Sequence, residues 1–361
     1  MLTGVPMEIS LTPKKMRALL PTDILFQTSY WGRVKAGLGF EPMAFDIMSP
    51  KPRGDVLVLL QPHGPDSLGA YVPQGPEFAP DHENYGPFLE NLSQAMLEHL
   101  KTNVSFIRYD LPWQSRYAHE IKEQKRQTLP EPRIREMRMN MGTRFWNLKK
   151  ASMDMTVASS LVVEIGCPEK HILDRMKSKT RYNIGLARRK GVSVFRAEPD
   201  RLPAFYKLYK QTALRNGFAI CDYKHFLALL NTHLSNPGNS ELLFLMASHN
   251  QDLLSGAIVA ISGRSALYLY GASSDNKKNL MAPYAMHWEV IKRARSLGCT
   301  TYDMGAVSPA LNPEHPFYGL YRFKTGFGGN IRIRSGSWDY PLDEQKYNAF
   351  VNSDNLARAR Q

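Results

Sequence analysis

Three consecutive strand signals followed by a helix most constrain what this chain can fold into. Short apolar runs divided by turn residues predict neighbouring β-strands. The three runs and their turn residues are, in chain order, Glu241–Ser248, Asn250, Leu253–Ile261, Gly263 and Ala266–Tyr270. A helical pattern over Pro283–Leu297 and a strand at Thr301–Met304 follow them. Strands and helices in this order predict an α/β unit with its own core.

The first half of the chain carries a similar order of elements. Its predicted elements are a helix start at Thr12-Pro13, a helix Asp23–Lys35, strands Ala44–Ile47 and Asp55–Leu60, a Pro/Gly-rich loop Gln61–Pro80, a helix from Phe88 to Leu100 and a strand Val104–Asp110. Trp113–Ser160 reads as loops and short helices that approach a second domain. Two similar halves predict a duplicated α/β (α+β) unit of the acetyltransferase-like (GNAT-like) kind.

The second half opens and closes with further elements. They are a strand Ser160–Ile165, a helix Pro168–Arg189, a strand Val192–Phe195, helices Leu202–Asn216 and Tyr223–Leu234, a last strand Asn330–Trp338 and a polar C-terminal helix. The segment Asn279–Pro283 before the long helix contains no glycine. A coenzyme A site needs a glycine-rich turn there to hold the pyrophosphate. The pattern therefore favours another acyl donor.

Positive charge is concentrated in two segments. Lys and Arg number 46 against 33 Asp and Glu, a formal net charge of +13. Lys170–Arg196 holds nine Lys or Arg and one acid, and Arg322–Arg334 holds four and none. Clusters of this kind favour a polyanionic partner. A non-enzymatic RNA-binding module stays open as an alternative.

Other common sites leave no signal. There is no phosphate-loop, nucleophile-elbow or HExxH motif, and the histidines are dispersed. Three scattered cysteines argue against disulfides and zinc. No apolar run is long enough to span a bilayer and no secretory signal is seen. We expect a cytoplasmic monomer that needs no metal and no cofactor.

Six segments, in chain order, resemble the FemABX peptidyltransferase family. They are FQTSYWGRVK (26–35), YVPQGP (71–76), FIRYDLP (106–112), LDRMKSKTRYNIGLARRKGV (173–192), FYKLYKQTALRNGF (205–218) and, within 267–329, LYLYGASS with GLYRFKTGFGG. Any one is weak, but six in the correct order are strong. Arg188–Val192 runs straight into a strand, without room for the helical-hairpin arm of larger members. The chain thus resembles the compact members.

The resemblance implies two GNAT-like domains and a specific reaction. Domain 1 would be 1–158, completed by a strand and helix in 331–361, and would bind the acceptor. Domain 2, 159–330, would take the aminoacyl-tRNA donor and carry the catalytic lysine. The acceptor would be the side-chain amine of UDP-MurNAc-pentapeptide or lipid II, with peripheral contact to the inner face of the cytoplasmic membrane. Whether Ala, Gly or Ser is transferred stays open.

Three residues are implied in catalysis by the same resemblance. Lys324, beside Phe323 in the FKTGFGG element, would stabilise the oxyanion or the departing ribose oxygen. Its alternative is a surface lysine near a glycine turn. Asp110 would position the acceptor amine, and proton acceptance is a second role for it. Its alternative is an aspartate of a turn at a strand end.

Five further residues are implied in substrate binding. Lys35 and Arg215 resemble a pair that holds the acceptor diphosphate, although Lys35 also suits the C-terminal dipole of a helix. Tyr268 and Tyr270 are expected on one face of a strand. By resemblance, Tyr270 is the better match to a family tyrosine near the acceptor, and packing beneath the next helix is its alternative. Tyr71 belongs to the YVPQGP element. The alternative enzyme is a tRNA-dependent aminoacyltransferase that modifies the N-termini of proteins. In that enzyme Lys35 and Arg215 would have no diphosphate to hold.

Overall fold

The computed structural model describes residues 9–48, 54–64, 66–123, 125–126, 128–235 and 240–359. Its strands are β1 (Ser10–Lys14), β2 (Glu41–Met48), β3 (Gly54–Pro62), β4 (Leu68–Val72), β5 (Val104–Gln114), β6 (Lys149–Lys150), β7 (Ser159–Glu164), β8 (Ser193–Arg196), β9 (Ser240–His249), β10 (Asp252–Ser262), β11 (Ser265–Ser273), β12 (Thr301–Ala306) and β13 (Asn330–Pro341). Its helices are α1 (Ser29–Ala36), α2 (Tyr85–Leu97), α3 (Ala118–Lys122), α4 (Pro132–Asn140), α5 (Glu169–Arg175), α6 (Ser178–Arg189), α7 (Leu202–Asn216), α8 (Tyr223–Ser235), α9 (Ala282–Ser296), α10 (Tyr318–Lys324) and α11 (Glu344–Ala359). Among the described residues, no helix is long and apolar enough to cross a bilayer.

The described residues form two compact units. The first takes its residues from 1–20, 26–158 and 333–361, and the second from 21–25 and 159–332. Most of β13 and all of α11 therefore belong to the first unit, as predicted for the C-terminal strand and helix. The short segment 21–25 joins the second unit, which no local sequence pattern indicates.

Both units share one order of strands. In the first, β2, β3 and β4 are antiparallel neighbours, α2 follows, and β5 pairs parallel to β4 and antiparallel to β13. In the second, β9, β10 and β11 are antiparallel neighbours, α9 follows, and β12 pairs parallel to β11 and antiparallel to β7. A crossover helix is what allows a parallel pair to follow an antiparallel run. The predicted duplication of an α/β unit is confirmed at the level of topology.

The helices of the second unit cover both faces of its sheet. Leu243 and Leu245 of β9 join a core that includes Val290 of α9. Phe244, between them, contacts Phe205 of α7 at 5.4 Å between ring centroids. Because successive strand residues point to opposite faces, α9 lies on one face and α7 on the other. Each fully buried side chain of this size contributes about 1.5–3 kcal/mol to stability.

Three sequence predictions of local structure are wrong. Thr12-Pro13 does not begin a helix but lies in β1, an edge strand paired antiparallel to β2. Proline is tolerated there because an edge strand has backbone groups that need no partner. The loop predicted over Gln61–Pro80 contains β4, and the helix predicted over Pro168–Arg189 is interrupted between α5 and α6, where Met176 is extended.

The helix predicted from Asp23 begins later. α1 starts at Ser29, and the Thr28 hydroxyl caps it by accepting a 3.2 Å hydrogen bond from the Trp31 amide. Such a cap satisfies one of the free N–H groups of the first turn. The Trp113–Ser160 segment, expected to approach a second domain, lies in the first unit as far as residue 158. It supplies α3, α4 and β6, which pairs with β13.

Candidate active site

Lys324, the last residue of α10, is 5% exposed. Its ammonium donates a 2.6 Å hydrogen bond to the backbone carbonyl of Ala306, at the end of β12. Burial lowers the pKa of Lys324 from its ordinary value of 10.5 to about 8, and the negative charge of Asp303 opposes this shift. The position excludes the alternative of a surface lysine.

The ammonium of Lys324 has more N–H groups than hydrogen-bond acceptors among the described residues. An ammonium carries three N–H groups. Across the described ranges its hydrogen bonding is limited to the Ala306 carbonyl, and it forms no ion pair there. Two donors are thus available to an oxygen that enters from outside. A buried cation with unused donors is suited to stabilise developing negative charge.

Asp303 is the carboxylate whose negative charge acts on Lys324. It is 8% exposed, and its two oxygens accept hydrogen bonds from the Ser160 hydroxyl at 2.9 Å and the Gly305 amide at 2.8 Å. Gly305 has φ +75, a conformation that suits glycine. The register of β12 with β7 shifts between Asp303 and Ala306, so the strand bulges where Lys324 binds it.

Aromatic rings form a wall that includes His287, on which the charge of Lys324 acts. Burial, and then the charge of Lys324, lower the pKa of His287 to about 3, so its imidazole is neutral at physiological pH. The His287 Nδ1 lies 2.8 Å from the Tyr302 hydroxyl. Phe323 is half-buried, with its ring centroid 5.4 Å from that of His287 and 4.9 Å from that of Tyr284. Phe323 therefore shapes the wall by packing, and the imidazole adds no positive charge.

Tyr268 and Tyr270 lie on opposite faces of the sheet, so the prediction that they share a face is wrong. The register between β10 and β11 shifts at this point and leaves Leu269 as an extra residue. Such a bulge breaks the simple alternation of side chains. The Tyr268 ring lies 4.8 Å from His287 of α9, whereas the Tyr270 ring lies 4.8 Å from Phe226 of α8.

The two tyrosines differ in their contacts as well. The Tyr270 hydroxyl lies 2.8 Å from Nε2 of His225. Burial raises the pKa of Tyr268 and of Tyr270, so both hydroxyls are neutral at physiological pH. Tyr268 is therefore the tyrosine on the Lys324 side of the sheet, since His287 links it to that wall.

Arg215 is already engaged within the second unit. Its guanidinium donates to the carbonyl of Ser273 at 2.9 Å and to its hydroxyl at 3.0 Å. The Asp275 carboxylate lies 3.2 Å from the same guanidinium and is itself 54% exposed. Arg215 thus ties the end of α7 to the segment after β11. A ligand phosphate would have to compete with Asp275 for it.

Asp110 is a buried carboxylate in the first unit, with 2% of its surface exposed. Its oxygens accept hydrogen bonds from the Thr156 hydroxyl at 2.5 Å and the Ser337 hydroxyl at 3.0 Å. Burial raises the pKa of Asp110, and these hydroxyls and the charge of Arg334 oppose the shift. The Gln74 amide donates to Thr156 at 3.0 Å and completes the network. Asp110 is therefore not an exposed turn residue.

Tyr71 and Lys35, the other predicted residues of the first unit, are partly buried. Burial, and then the charge of Asp110, raise the pKa of Tyr71, whose hydroxyl is neutral. Lys35 lies in the last turn of α1, with its ammonium 5.1 Å from the Trp31 ring centroid and 4.8 Å from that of Phe40. These contacts suit either a lysine that binds the phosphate of a ligand or a lysine that complements the dipole at a helix C-terminus.

The two basic segments behave differently. All nine Lys and Arg residues of Lys170–Arg196 are exposed; they lie on α5, on α6 and its two cap residues, and on β8. The second segment was expected to contribute to an anion-binding surface, but Lys324 and Arg334 are buried, so that expectation is wrong for these two. Arg334 instead donates to the Val157 carbonyl. The exposed positive surface therefore lies along α5 and α6.

The start of α9 differs from a glycine-rich phosphate turn. Met281 and Lys277 before it have φ of +56 and +54, and Pro283 occupies the first turn, where it offers no N–H. Fewer backbone donors are thus available there for a pyrophosphate. Within the described ranges, no group of His, Cys, Asp or Glu is arranged to hold a metal.

Several residues of this geometry were missed from the sequence. They are Ser160, His287 and Asp303 in the second unit, and Gln74, Thr156 and Ser337 in the first. Asp303 could have been found, because it follows a crossover helix on a parallel strand, as Asp110 does. The hydroxyl partners carry no local signal, since Ser160 is 143 residues from Asp303 and Ser337 is 227 from Asp110.

Comparison with family models and curated proteins gives a consistent result. Residues 20–247 and 239–352 match a model described as the FemAB family. A lipid II:glycine glycyltransferase of Staphylococcus epidermidis (strain ATCC 35984) is 24% identical over 247 residues, covering 52% of this chain and 59% of that protein. One of Staphylococcus aureus (strain USA300) is 23% identical over 252 residues, covering 52% and 60%. The chain spans about three fifths of the length of these relatives.

Solved structures show the same fold. FemX matches with a TM-score of 0.71 and 18% identity, covering 93% of this chain and 96% of that one. A tandem GNAT protein from the clavulanic acid biosynthesis pathway matches with a TM-score of 0.51 and 10% identity, covering 92% and 98%. The predicted fold of two tandem GNAT-like units is confirmed.

Proposed function

The chain belongs to the FemAB family, and from that premise we propose that it transfers an amino acid from aminoacyl-tRNA to the side-chain amine of a peptidoglycan precursor. The acceptor is UDP-MurNAc-pentapeptide or lipid II. Relatives named as lipid II:glycine glycyltransferases support an acceptor of this class. The reaction makes this chain an aminoacyltransferase.

The chemistry is aminolysis of an ester. The acceptor nitrogen attacks the carbonyl carbon that joins the amino acid to the tRNA, and an oxyanion forms. The new C–N bond is completed as the bond to the ribose oxygen breaks. The amine loses one proton and the departing ribose oxygen gains one, so the step balances without a redox partner. An aminoacyl ester is already activated, and positioning with charge stabilisation supplies the rest.

The buried ammonium of Lys324 is the observation that carries this proposal. With a pKa of about 8, roughly nine tenths of it is protonated at pH 7. Its two unused donors suit the oxyanion or the departing ribose oxygen. A lowered pKa also makes the ammonium a stronger acid. Donation of its proton to that oxygen is then less unfavourable, which favours general acid catalysis. Phe323, the neighbour of Lys324 in sequence, packs on His287 with 5.4 Å between ring centroids.

Asp110 fits positioning of the acceptor amine. The hydroxyls of Thr156 and Ser337 hold both of its oxygens in place, and each oxygen keeps lone pairs for a further donor. A carboxylate beside an ammonium would raise the pKa of that amine and hinder attack. The pKa of Asp110 is itself raised, so its carboxylate is a better proton acceptor than an ordinary aspartate. Proton acceptance from the amine therefore remains its second role.

The exposed basic surface along α5 and α6 supports an RNA donor. Nine Lys and Arg residues without burial can neutralise phosphates of a tRNA, and such binding weakens steeply with salt. Tyr182 on the same surface is 59% exposed, and the Arg189 guanidinium lies 5.7 Å from the centroid of its ring. An aromatic group for base stacking is therefore also present. These features support aminoacyl-tRNA over a coenzyme A thioester.

The decisive experiment is transfer with purified components. The full chain is mixed with tRNA charged with labelled Ala, Gly or Ser, and with UDP-MurNAc-pentapeptide or lipid II in detergent. Mass spectrometry of the product identifies the amino acid, the acceptor and the modified amine together. We expect one pair of substrates to give product, and RNase treatment of the charged tRNA to abolish it.

Two controls make this test decisive. Acetyl-CoA with the same acceptors should give no product, and product formation from it would identify an ordinary acetyltransferase. A peptide with a free N-terminus should also stay unmodified. If that peptide is aminoacylated and both precursors are not, the acceptor class proposed here is wrong.

A further inference from the structure

A pocket in the first unit is lined by arginines and aromatic rings. It is formed by α2, by the residues that follow β5, by α4 and by β13, and its cavity volume is about 20 Å³. The residues that matter for its chemistry are Tyr85, Arg116, Tyr117, Arg135, Arg138 and Trp338. Asp110 does not line it, and Lys324 belongs to the other unit, so the proposed reaction leaves this pocket without a role.

The positive charge of the pocket is poorly balanced. Arg135 and Arg138 form no ion pair with any residue in the described ranges, and Arg135 donates only a 3.4 Å hydrogen bond to a backbone carbonyl. The carboxylate of Glu83 lies 3.8 Å from Arg116 and is 86% exposed. Three guanidinium groups around one cavity repel each other, so an anion that enters would relieve that repulsion.

The carboxylate of Asp154, whose charge acts on Arg135, already has hydrogen-bond partners of its own. The charge of Asp154 acts on Arg135 and opposes the effect of burial on its pKa. However, Asp154 accepts a 2.6 Å hydrogen bond from the Lys150 ammonium and a 2.7 Å hydrogen bond from the Ser337 amide. It therefore serves to neutralise Lys150 and leaves Arg116 and Arg138 without an inward counter-charge.

Two polar atoms at the pocket lack a partner. Tyr117 is 6% exposed, and its hydroxyl has no hydrogen-bond partner among the described residues; the same holds for Nε of Arg116. Buried polar groups are nearly always satisfied, so two orphan atoms on residues that line the same cavity indicate a missing partner. Both orphans can donate to an oxygen.

Aromatic faces hold two of the arginines in place. The Arg138 guanidinium lies over the Tyr117 ring at 5.5 Å, and the Arg116 guanidinium lies over the Tyr85 ring at 5.6 Å. Stacking occupies the face of a guanidinium and leaves its N–H edge for acceptors. Part of the Arg116 edge already donates to the His82 carbonyl, whereas no hydrogen bond or ion pair of Arg138 is formed within the described ranges, so Arg138 is the arginine arranged for binding before a ligand arrives.

We propose that this pocket binds the phosphate group of a phosphate monoester. A monoester carries close to two negative charges and three terminal oxygens, which match several guanidinium forks and the Tyr117 hydroxyl. A carboxylate offers one charge and two oxygens. Tyr85 and Trp338 give the remainder of the ligand an apolar wall. This site is independent of aminoacyl transfer.

The first test measures phosphate binding by the full chain. Inorganic phosphate is titrated by calorimetry, at constant ionic strength held with sodium chloride. We expect saturable binding that Arg138→Gln weakens by about tenfold or more, as for loss of a charged hydrogen bond. Arg133→Gln is the matched control, because Arg133 lies on the same helix, is exposed and does not line the pocket. Equal binding by all three proteins would overturn the proposal.

A second variant separates ligand binding from folding. Tyr117→Phe removes only the orphan hydroxyl, so thermal stability without phosphate should be unchanged or higher, while phosphate affinity should fall by about threefold to tenfold. A loss of stability with unchanged affinity would mean that the hydroxyl serves the fold, and would count against the site.

Ligand comparison tests the monoester. Adenosine 5′-monophosphate should bind, and adenosine should not. An RNA oligonucleotide without a terminal phosphate should show no loss of affinity on Arg138→Gln. If this oligonucleotide responds to Arg138→Gln and inorganic phosphate does not, the pocket belongs to a nucleic-acid surface and the proposal is wrong.

Discussion

The two units place a buried carboxylate at corresponding positions and surround it differently. Asp110 lies on β5 and Asp303 on β12, each on the parallel strand after the crossover helix. Each accepts from a serine on the antiparallel neighbour, Ser337 of β13 or Ser160 of β7. Only Asp303 has a buried ammonium close by, that of Lys324.

This difference teaches how one fold can serve two chemical tasks. Burial raises the pKa of Asp110, and its hydroxyl donors and the charge of Arg334 offset this shift only in part. At Asp303 the adjacent cation and carboxylate compensate each other, and the cation retains donors for a ligand. In the reaction proposed here, the first unit therefore supplies an acceptor of hydrogen bonds and protons, and the second supplies a hydrogen-bond donor to oxygen.

Removing the cation from the second unit has the largest expected effect. Lys324→Met keeps the apolar stem, and kcat should fall by about 10²–10³, as for loss of one oxyanion donor. Precursor binding should change little, since the interaction matters in the transition state. Steady-state transfer assays measure both, with the exposed Lys207→Met as control. Turnover equal to wild type would remove Lys324 from the chemistry.

The pH dependence of stability should separate wild type from the same variant. The folded pKa of Lys324, about 8, lies below its ordinary value of 10.5, so on raising the pH the folded state releases the proton first. The free energy of unfolding of wild type, relative to Lys324→Met, should therefore rise between pH 8 and 10.5 by about 3 kcal/mol.

Urea unfolding of both proteins at pH 7, 8, 9 and 10 provides the measurement. The difference between the two proteins cancels the titration of other groups. A difference that stays constant across this range would mean that Lys324 keeps an ordinary pKa and is not buried as a cation.

A smaller effect is expected at the hydroxyl that holds Asp110. Thr156→Val removes a hydrogen bond to a charged group and should cost about 1.5–3 kcal/mol of unfolding free energy at pH 7. The pKa of Asp110 is raised in the fold, so its proton is taken up first in the folded state as the pH falls. The cost should then shrink at acid pH, because protonated Asp110 needs the donor less.

Thr156→Ser keeps the hydroxyl and is the matched control. It should retain both the stability and its pH profile. If the stability lost by Thr156→Val is the same at every pH, the hydroxyl does not act on the carboxylate and the effect comes from packing.

The smallest effect is expected from neutralising the carboxylate beside the lysine. Asp303→Asn removes the charge that supports the ammonium, so the pKa of Lys324 should fall below 8 by about one unit. The alkaline limb of the pH profile of kcat should move down by the same amount. Asp275→Asn, an exposed carboxylate of the same unit, should leave the profile in place. A profile unmoved by Asp303→Asn would show that the two groups do not interact.

The sequence by itself determined the architecture. Turn residues between the strands β9, β10 and β11 and the helical pattern of α9 predicted this part of the second unit nearly residue by residue, because such patterns depend on neighbours along the chain. The six segments in order indicated the family, and with it Lys324 and Asp110. Local patterns failed at Pro13 and at β4, where pairing with a distant strand overrides propensity.

Only the tertiary structure decided the chemical environment of these residues. The low pKa of Lys324 arises from burial, and its carbonyl partner is 18 residues away. Thr156, Ser160 and Ser337 reach their carboxylates across 46, 143 and 227 residues. The bulge at Leu269 placed Tyr268 and Tyr270 on different faces. Burial and long-range pairing depend on how the whole chain packs, and no local window of sequence contains that information.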